Sequence, residues 1–285
     1  MIERIVYSFW TPPQGGDAKN AINWHNTRSA LMCSAISVLE SSKRFKEVAL
    51  VTDCNGYDLL INEMQLPFTD ISLSLQDIDT RYSDFWSLGK VVAYNEQTKP
   101  FIHLDFDAIL FKPLSTDLLT SKTFAQHTEI NKAFKDLYVS QIELLKSFGF
   151  NVPRGSFGVC KSASNLGIVG FNDMDFLKEY CSRSLDFIYS NSHQWHLLTK
   201  RERAQMCVIF EQYMYDCVAK DMNVELTYLS SKTSDEDIDP ELIELGYTHI
   251  WGYKRNPKVE AMLEGKLAQI NKDYIAMIDY ILKKR

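Results

Sequence analysis

The chain has 285 residues, a mass of 32.9 kDa and a formal net charge of −6. This length suits one large domain or two small ones, with a sizeable buried core. Hydrophobic residues make up 45% and charged residues 24%, which is ordinary for a globular protein and excludes a disordered, collagen-like or coiled-coil chain. The negative net charge provides no global field for nucleic acid or an anionic membrane, so an anionic ligand must be held locally.

Six cysteines are spread along the chain, and none forms a C-x-x-C pair. This spacing argues against a zinc knuckle or a dithiol redox site and predicts free thiols in a reducing compartment, the cytoplasm. No apolar run approaches the roughly 20 residues that a membrane-spanning helix needs. The basic end of the chain, Lys283-Lys284-Arg285, leaves a peripheral place at the inner face of a membrane as the alternative.

The first part of the chain alternates between apolar strands and helices. Strands are predicted at residues 4–10, 48–52, 71–75 and 101–104, and helices at 20–41 and 83–97. Strand–helix–strand alternation predicts an α/β fold with a mostly parallel sheet flanked by helices. Ligands of such sheets bind beyond the carboxyl ends of the strands, so the residues that close each strand are the candidates for a site.

The remainder of the chain is predicted to be mainly helical. Helices are predicted at about 131–148, 175–190, 203–220 and 258–285, strands at 167–171 and 224–228, and an acidic, turn-rich segment at 230–240. No internal repeat or long linker is visible in the sequence. This organisation favours one domain over residues 1–255, with a variable insertion at about 124–160 and a helical extension at 256–285.

The sharpest motif is Phe101-Ile102-His103-Leu104-Asp105-Phe106-Asp107, in which two carboxylates follow an apolar strand. Side chains two residues apart on extended chain point the same way. Asp105 and Asp107 therefore offer hard oxygen ligands to Mg²⁺ or Mn²⁺, and such an ion can neutralise a departing diphosphate. Four other Asp-x-Asp pairs fall in predicted turns or helix starts, where acids cap backbone groups.

A short strand, a helix ending near a proline and then an apolar run around Asp-x-Asp resembles the GT-A nucleotide-sugar glycosyltransferases. The segment Asn165-Leu166-Gly167-Ile168-Val169-Gly170-Phe171-Asn172 is similar to the N-x-G-apolar-apolar-x-F-N segment of the glycosyltransferase family 8 group. The resemblance implies a GT-A type, Rossmann-like sheet, and it places Asn165 and Gly167 at the sugar pocket, where a glycine admits close approach of the hexose. A tight turn into a core strand is the alternative interpretation of this segment.

A later segment, Thr248-His249-Ile250-Trp251-Gly252-Tyr253-Lys254, resembles the H-x-x-G…K segment of the same group. The resemblance implies that His249 is the third metal ligand, and an imidazole suits Mn²⁺ better than Mg²⁺. It also implies that Lys254 meets the diphosphate as a point charge. The spacing is one residue shorter than in the group, which leaves Arg255 as the alternative cation, and a packing role as the alternative for His249.

The pair Glu211-Gln212 looks like the D-Q pair of the group, with Glu in place of Asp. The resemblance implies that Gln212 or Glu211 is the catalytic residue beside the anomeric carbon. A polar pair on an exposed helix face is the alternative. The resemblance also implies a set of donor-binding residues for the nucleobase, ribose and phosphates, namely Tyr7, Ser8, Trp10, Arg81, Lys90, Asp105 and Lys254.

Together these motifs imply a metal-dependent glycosyltransferase with Mn²⁺, or alternatively Mg²⁺, as cofactor. It would move a hexose from a nucleoside-diphosphate sugar, UDP-linked, to a carbohydrate or other hydroxyl acceptor, with retention of configuration. A sugar-nucleotide nucleotidyltransferase is one alternative, although the first loop, Thr11–Gly16, has no basic residue. The other alternative is a non-catalytic carbohydrate-binding protein on the same fold.

Overall fold

The computed structural model describes residues 2–21, 23–233 and 235–284. The strands in this part of the chain are β1 (Arg4–Phe9), β2 (Glu47–Thr52), β3 (Asp70–Ser72), β4 (Phe101–Leu104), β5 (Ala108–Leu110), β6 (Thr123–Glu129), β7 (Ala163–Phe171), β8 (Thr227–Tyr228) and β9 (Tyr247–His249). The helices are α1 (Thr27–Ser42), α2 (Cys54–Tyr57), α3 (Leu88–Asn95), α4 (Thr116–Thr120), α5 (Asn131–Phe134), α6 (Ser140–Ser147), α7 (Met174–Ser190), α8 (Lys200–Gln205), α9 (Met214–Met222), α10 (Asp235–Glu244), α11 (Lys258–Asn271) and α12 (Asp273–Lys283).

Seven strands form one sheet in the order β3-β2-β1-β4-β7-β6-β8, and β5 pairs with β9 in a separate two-stranded sheet. Strand β1 lies parallel to β2, and β2 lies parallel to β3. Strand β6 runs antiparallel to β7 and parallel to β8. A mostly parallel sheet flanked by helices confirms the predicted α/β class.

The chain divides into two compact units. Unit 1 consists chiefly of Ile78–Ile102 and Leu114–Glu241, and unit 2 consists of Glu3–Asp77, His103–Pro113 and the chain from Leu242 onward. The predicted domain boundary at residue 255 and the predicted insertion at about 124–160 stay predictions. Within the described part of the chain, no helix has both the length and the hydropathy needed to cross a membrane.

Unit 2 is organised around β1, β2 and the long helix α1, which contacts β2, β5, α11 and α12. Arg28 on α1 forms ion pairs with Glu260 and Glu264 of α11 and with Asp279 of α12. These pairs hold both C-terminal helices against α1. The last segment of the chain, predicted as one outer helix, is therefore two helices that belong to the packing of unit 2.

Unit 1 has an aromatic core between β7 and the helices that cover it, of which α7 contacts both α3 and α9. Phe171 of β7 stacks on Tyr180 of α7, with ring centroids 6.1 Å apart. Phe176 of α7 lies edge-on to Tyr215 of α9 at 5.3 Å. Aromatic pairs of this kind contribute about 0.5–1.5 kcal/mol each beyond the area they bury. Much of the aromatic content of the sequence therefore stabilises the core.

The predicted starts of two helices are wrong. Helix α1 begins at Thr27 rather than near residue 20, since the side chain of Asn26 accepts a hydrogen bond from the Ser29 backbone N–H at 2.8 Å. Helix α3 begins at Leu88 rather than at residue 83 or 84. Asp84, near the predicted start, instead accepts a hydrogen bond from Arg203 through its carboxylate at 2.8 Å.

Other predicted elements are shorter, divided or absent. The strand predicted at 71–75 ends at Ser72, and a 3₁₀ turn follows that buries Leu75. The helices predicted at 131–148 and 203–220 are each interrupted by a π-helical turn, at Lys135–Val139 and Ile209–Tyr213. The segment predicted as turns at 230–240 contains the start of α10. Strand β6 was not predicted, because its buried sequence includes a histidine, two threonines and a glutamate.

Strands β6 and β7 pair with Phe124 opposite Gly170. A Cβ on Gly170 would lie 2.0 Å from a carbon of the buried Phe124 ring. We expect Gly170→Ala to lower the free energy of unfolding by about 1–3 kcal/mol, because overpacking forces the ring or the backbone to move. Urea denaturation should show a lower midpoint with an unchanged slope.

Gly265→Ala is the matched control, since a Cβ at this helical position in α11 meets nothing within 4 Å. We expect it to raise the free energy of unfolding by up to about 1 kcal/mol, the difference in helix propensity between the two residues. A Gly170→Ala protein as stable as the wild type would contradict the close packing of Phe124 on this glycine.

Candidate functional site

The two acidic side chains of the predicted metal site directly follow the buried strand β4. All four residues of β4 are buried. The chain then turns, and the Ala108 N–H donates a hydrogen bond to the Asp105 carbonyl oxygen at 3.0 Å. Asp107 is 8% exposed, whereas Asp105 is half-buried. The turn therefore carries one buried and one partly accessible carboxylate at the end of the strand.

Strand β9 brings His249 to this turn. It pairs antiparallel with β5, with Ala108 opposite His249, and the Ile250 N–H donates to the Asp107 carbonyl oxygen at 2.9 Å. The Nε2 atom of His249 lies 3.4 Å from Oδ2 of Asp107. One potential ligand atom from each of Asp105, Asp107 and His249 lies within 4.8 Å of the other two. The structure thus brings together the three residues that the sequence proposes as metal ligands.

This donor set fits a divalent cation. Two carboxylate oxygens and an imidazole nitrogen suit a first-row ion such as Mn²⁺. Ligands at roughly 2.0–2.2 Å from one ion are at most about 4.4 Å apart, so small side-chain rotations would complete the set. Burial by itself would raise the pKa of Asp107, but the charges of Lys254 and His249 outweigh it and hold the pKa well below its usual range. The carboxylate is therefore ionised, as a metal ligand must be.

Lys254 is the cation beside the acidic pair. Its Nζ atom lies 2.5 Å from Oδ2 of Asp107 and 5.7 Å from the centre of the Trp24 ring. Arg255, the alternative from the sequence, donates instead to Oδ1 of Asn23 at 2.9 Å. Although its spacing from His249 is one residue shorter than in the glycosyltransferase family 8 group, Lys254 rather than Arg255 lies at the Asp107 carboxylate.

Tyr7, one of the predicted donor-binding residues, lies in the core of unit 2. Its ring is fully buried, and its hydroxyl lies 2.9 Å from the Ser37 hydroxyl and 2.7 Å from that of Ser41. The ring also packs against Phe106. Burial raises the pKa of this phenol well above its usual range. Tyr7 is therefore packed in the core of unit 2, and its predicted role in donor binding stays a prediction.

Near the C-terminal end of β1, Ser8 and Asp53 have internal hydrogen-bond partners, and Trp10 is buried. The Ser8 hydroxyl lies 2.9 Å from Nε2 of His103, and Trp10 is only 6% exposed. The Asp53 carboxylate accepts hydrogen bonds from the backbone N–H and the hydroxyl of Thr11, at 2.7 and 2.9 Å. Ser8 and Trp10 thus line a rigid strand end, and Asp53 fixes the loop that follows it.

The predicted acid–Gln pair lies in unit 1, in the π-helical turn Ile209–Tyr213. The Glu211 side chain is completely buried, and one of its carboxylate oxygens lies 2.5 Å from Nζ of Lys90. Lys90 also donates to the Leu166 carbonyl oxygen at 3.2 Å. Removing one partner of such a pair would leave the other charge uncompensated in the interior. Both charges are therefore paired with each other in the interior of unit 1, and the donor-binding role of Lys90 and the catalytic role of Glu211 stay predictions.

Gln212 is half-buried and belongs to a hydrogen-bonded network in unit 1. Its side-chain oxygen lies 2.6 Å from the Tyr138 hydroxyl, and the oxygen of this hydroxyl also contacts the Glu129 carboxylate, so its single proton can be donated to either acceptor. Asn165 donates to Glu129 at 3.4 Å and accepts from the Gly167 N–H at 3.1 Å. The network links Gln212, Asn165 and Gly167 through Tyr138 and Glu129, which the sequence did not single out. Glu129 lies in β6, which was not predicted, and Tyr138 lies in the predicted helix 131–148, where no motif marks it.

Arg81, the remaining predicted donor-binding residue, lies in unit 1 and is exposed. Its guanidinium pairs with the Asp79 carboxylate at 2.7 Å on the same 3₁₀ turn. An exposed pair of this kind has little energetic weight. Exchanging Asp79 for another anion would therefore cost the guanidinium little free energy. The position of Arg81 does not by itself indicate a donor-binding role.

The residues described so far define an α/β protein with a candidate Asp-Asp-His metal centre. The chain belongs to a family of unknown function, DUF6734, whose sequence profile matches residues 3–281. No curated protein matches the chain at a significant level.

Several solved structures are distantly similar to this chain. The inositol-1-phosphate CTP transferase from T. maritima has 11% identity and a TM-score of 0.41, covering 93% of this chain and 96% of its own. The galactosyltransferase LgtC with donor and acceptor sugar analogs has 13% identity and a TM-score of 0.37, covering 91% and 95%. Mouse xyloside xylosyltransferase 1 has 10% identity and a TM-score of 0.40, covering 87% and 97%. These likenesses are too distant to assign an activity.

We expect Asp107→Asn to weaken Mn²⁺ binding at least about a hundredfold, because the substitution removes the more buried of two anionic ligands. Isothermal titration calorimetry with MnCl₂ measures the dissociation constant for Mn²⁺ directly. Asp175→Asn is the control, since Asp175 belongs to another Asp-x-Asp pair and lies exposed in the first turn of α7. Equal affinities of wild type and Asp107→Asn for Mn²⁺ would exclude Asp107 as a ligand.

A second buried carboxylate predicts a pH dependence of stability. Asp216 accepts hydrogen bonds from the Ser162 and Ser164 hydroxyls, each at 2.5 Å, and burial raises its pKa from 3.8 to about 7. Between these two values the folded protein retains a proton that the unfolded chain releases, so stability falls as the pH rises through this window. Asp216→Asn replaces the carboxyl with an amide, which does not titrate, and so removes this contribution to the pH dependence of stability.

We therefore expect the unfolding free energy of Asp216→Asn to change less than that of the wild type between about pH 4 and pH 7. Urea midpoints measured across this range for both proteins, with Asp175→Asn as the control that should follow the wild type, provide the comparison. Parallel profiles for wild type and Asp216→Asn would contradict the assignment.

Proposed function

We propose that the protein is a divalent-metal-dependent glycosyltransferase of GT-A type, which moves a hexose from a UDP-linked sugar to a hydroxyl acceptor. The observation that carries this proposal is the convergence of Asp105, Asp107, His249 and Lys254 after strand β4. Two anions and an imidazole suit a divalent ion, and an ammonium beside them suits a second anionic group. A diphosphate bridged to a metal satisfies both requirements.

In this proposal Asp105, Asp107 and His249 would hold the divalent ion. A bound divalent ion supplies neutralisation of the charge that develops on the diphosphate as the glycosidic bond breaks. Lys254 adds a second positive charge to the same leaving group. Charge placed in advance at the leaving group is typically the largest contribution to such a reaction. The imidazole ligand favours Mn²⁺ over Mg²⁺.

For unit 1, considered by itself, we propose from the family 8 resemblance that the Gln212 amide acts beside the anomeric carbon. In the same resemblance Asn165 and the backbone at Gly167 would contact the hydroxyls of the hexose. Glu211 and Lys90 act through the π-helical turn, because their buried pair fixes the position of Gln212. Retention of configuration, a UDP donor and a carbohydrate acceptor follow from the family 8 resemblance, and cytoplasmic location stays a prediction from the cysteine pattern.

Incubation with Mn²⁺ and a panel of nucleotide sugars tests the function, with chromatographic detection of released nucleotides. We expect slow release of UDP from one or more UDP-hexoses, accelerated by a suitable hydroxyl acceptor. Asp107→Asn should lower the rate at least about a hundredfold, because the charge on the departing diphosphate is no longer neutralised. Asp175→Asn should keep the wild-type rate.

The two alternatives produce different outcomes in the same panel. A nucleotidyltransferase would form pyrophosphate from a nucleoside triphosphate and a sugar phosphate. A non-catalytic binding protein would show a ligand-dependent rise in melting temperature without either product. Either result would replace the proposed glycosyl transfer.

A further inference from the structure

The Lys254 ammonium lies against Asp107, the buried carboxylate of the acidic pair. Its Nζ atom lies 2.5 Å from Oδ2 of Asp107, the same oxygen that lies 3.4 Å from Nε2 of His249. The negative charge of Asp105 also stabilises the ammonium. Lys254 is thus the internal counter-ion at the position where three potential metal ligands converge.

A divalent ion and the ammonium compete for this position. An ion coordinated by Oδ2 of Asp107 lies roughly 2.1 Å from that oxygen, in the region that Nζ of Lys254 now approaches. Two cations so close repel each other strongly in a partly buried site. Coordination of an ion by Asp107 therefore requires Lys254 to move its charge elsewhere.

The attachment of Lys254 permits this movement without a change in the main chain. The Lys254 carbonyl oxygen accepts a hydrogen bond from the His25 N–H at 2.7 Å, which anchors the backbone. The side chain is a flexible four-carbon stem with a compact charge, and its ammonium lies near the Trp24 ring. Rotations of the stem are enough to turn the ammonium away from Asp107.

We infer that Lys254 is a placeholder cation, which neutralises Asp107 until it gives up that place to a divalent ion and then binds the diphosphate of the donor. The inference rests on the proposed function and adds that binding of the metal and binding of the nucleotide are coupled. The displaced ammonium gains a new anionic partner only when the diphosphate is present. Binding of the metal and binding of the nucleotide should therefore strengthen each other by the same factor.

Lys254→Met tests the inference, because it removes the ammonium and keeps an unbranched apolar stem. We expect the variant to bind Mn²⁺ about tenfold more tightly than the wild type in the absence of nucleotide, within the usual range of coupling between two sites. UDP should raise the Mn²⁺ affinity of the wild type clearly more than that of the variant. Titrations followed by the electron paramagnetic resonance signal of free Mn²⁺ measure both, with Mn²⁺–UDP complex formation in buffer subtracted.

Two further variants separate the placeholder role from a general change in charge. Lys258→Met removes the same charge from an exposed position at the start of α11, and we expect an Mn²⁺ affinity within about twofold of the wild type because exposed charges are screened. Lys254→Arg keeps a cation at the carboxylates and should not show the tighter binding.

The outcomes distinguish failure of the inference from failure of the proposed function. If Lys254→Met binds Mn²⁺ no more tightly than Lys258→Met, while Asp107→Asn still abolishes binding, Lys254 is not a placeholder but the metal site stands. If the wild type binds no Mn²⁺ with or without UDP, both the inference and the metal-dependent function are overturned.

Discussion

The need to neutralise a buried carboxylate at the end of strand β4 organises much of unit 2. Asp107 follows an apolar strand and is itself buried, and a charge in such a position is costly unless it is paired and hydrogen-bonded. Lys254 supplies a positive partner and His249 an imidazole beside the carboxylate, and β9, which carries His249, pairs with β5. The carboxylate that makes the site suitable for a metal is therefore held by residues far apart in the chain.

Unit 1 also contains a buried carboxylate, Glu211, which is paired with the buried ammonium of Lys90. The Lys90–Glu211 pair lies inside the unit and supports a π-helical turn, a feature that is frequent at functional sites. The turn leaves Gln212 partly accessible and hydrogen-bonded to Tyr138. A buried ion pair of this kind contributes little net stability, because the cost of desolvating both charges offsets their attraction.

The charged pairs Lys254–Asp107 and Lys90–Glu211 also differ in how easily their charges can move. Lys254 is attached through a flexible stem and is one quarter exposed, whereas the Glu211 side chain is completely enclosed. A charge that exchanges partners is useful where ligands of opposite sign must bind together, and a fixed charge is useful where a side chain must stay in place. Membership of a family of unknown function leaves these physical differences as the guide to its chemistry.

The sequence by itself determined the α/β class and the position of the acidic pair, because both depend on local patterns. Alternating apolar segments define the strands, and an Asp-x-Asp after an apolar strand places two carboxylates at its end. Only the tertiary structure decided that Tyr7 is buried, that Lys254 rather than Arg255 reaches Asp107, and that β6 brings Glu129 to Asn165. Burial and ion pairing depend on contacts between residues far apart in the chain, and no local pattern of residues encodes them.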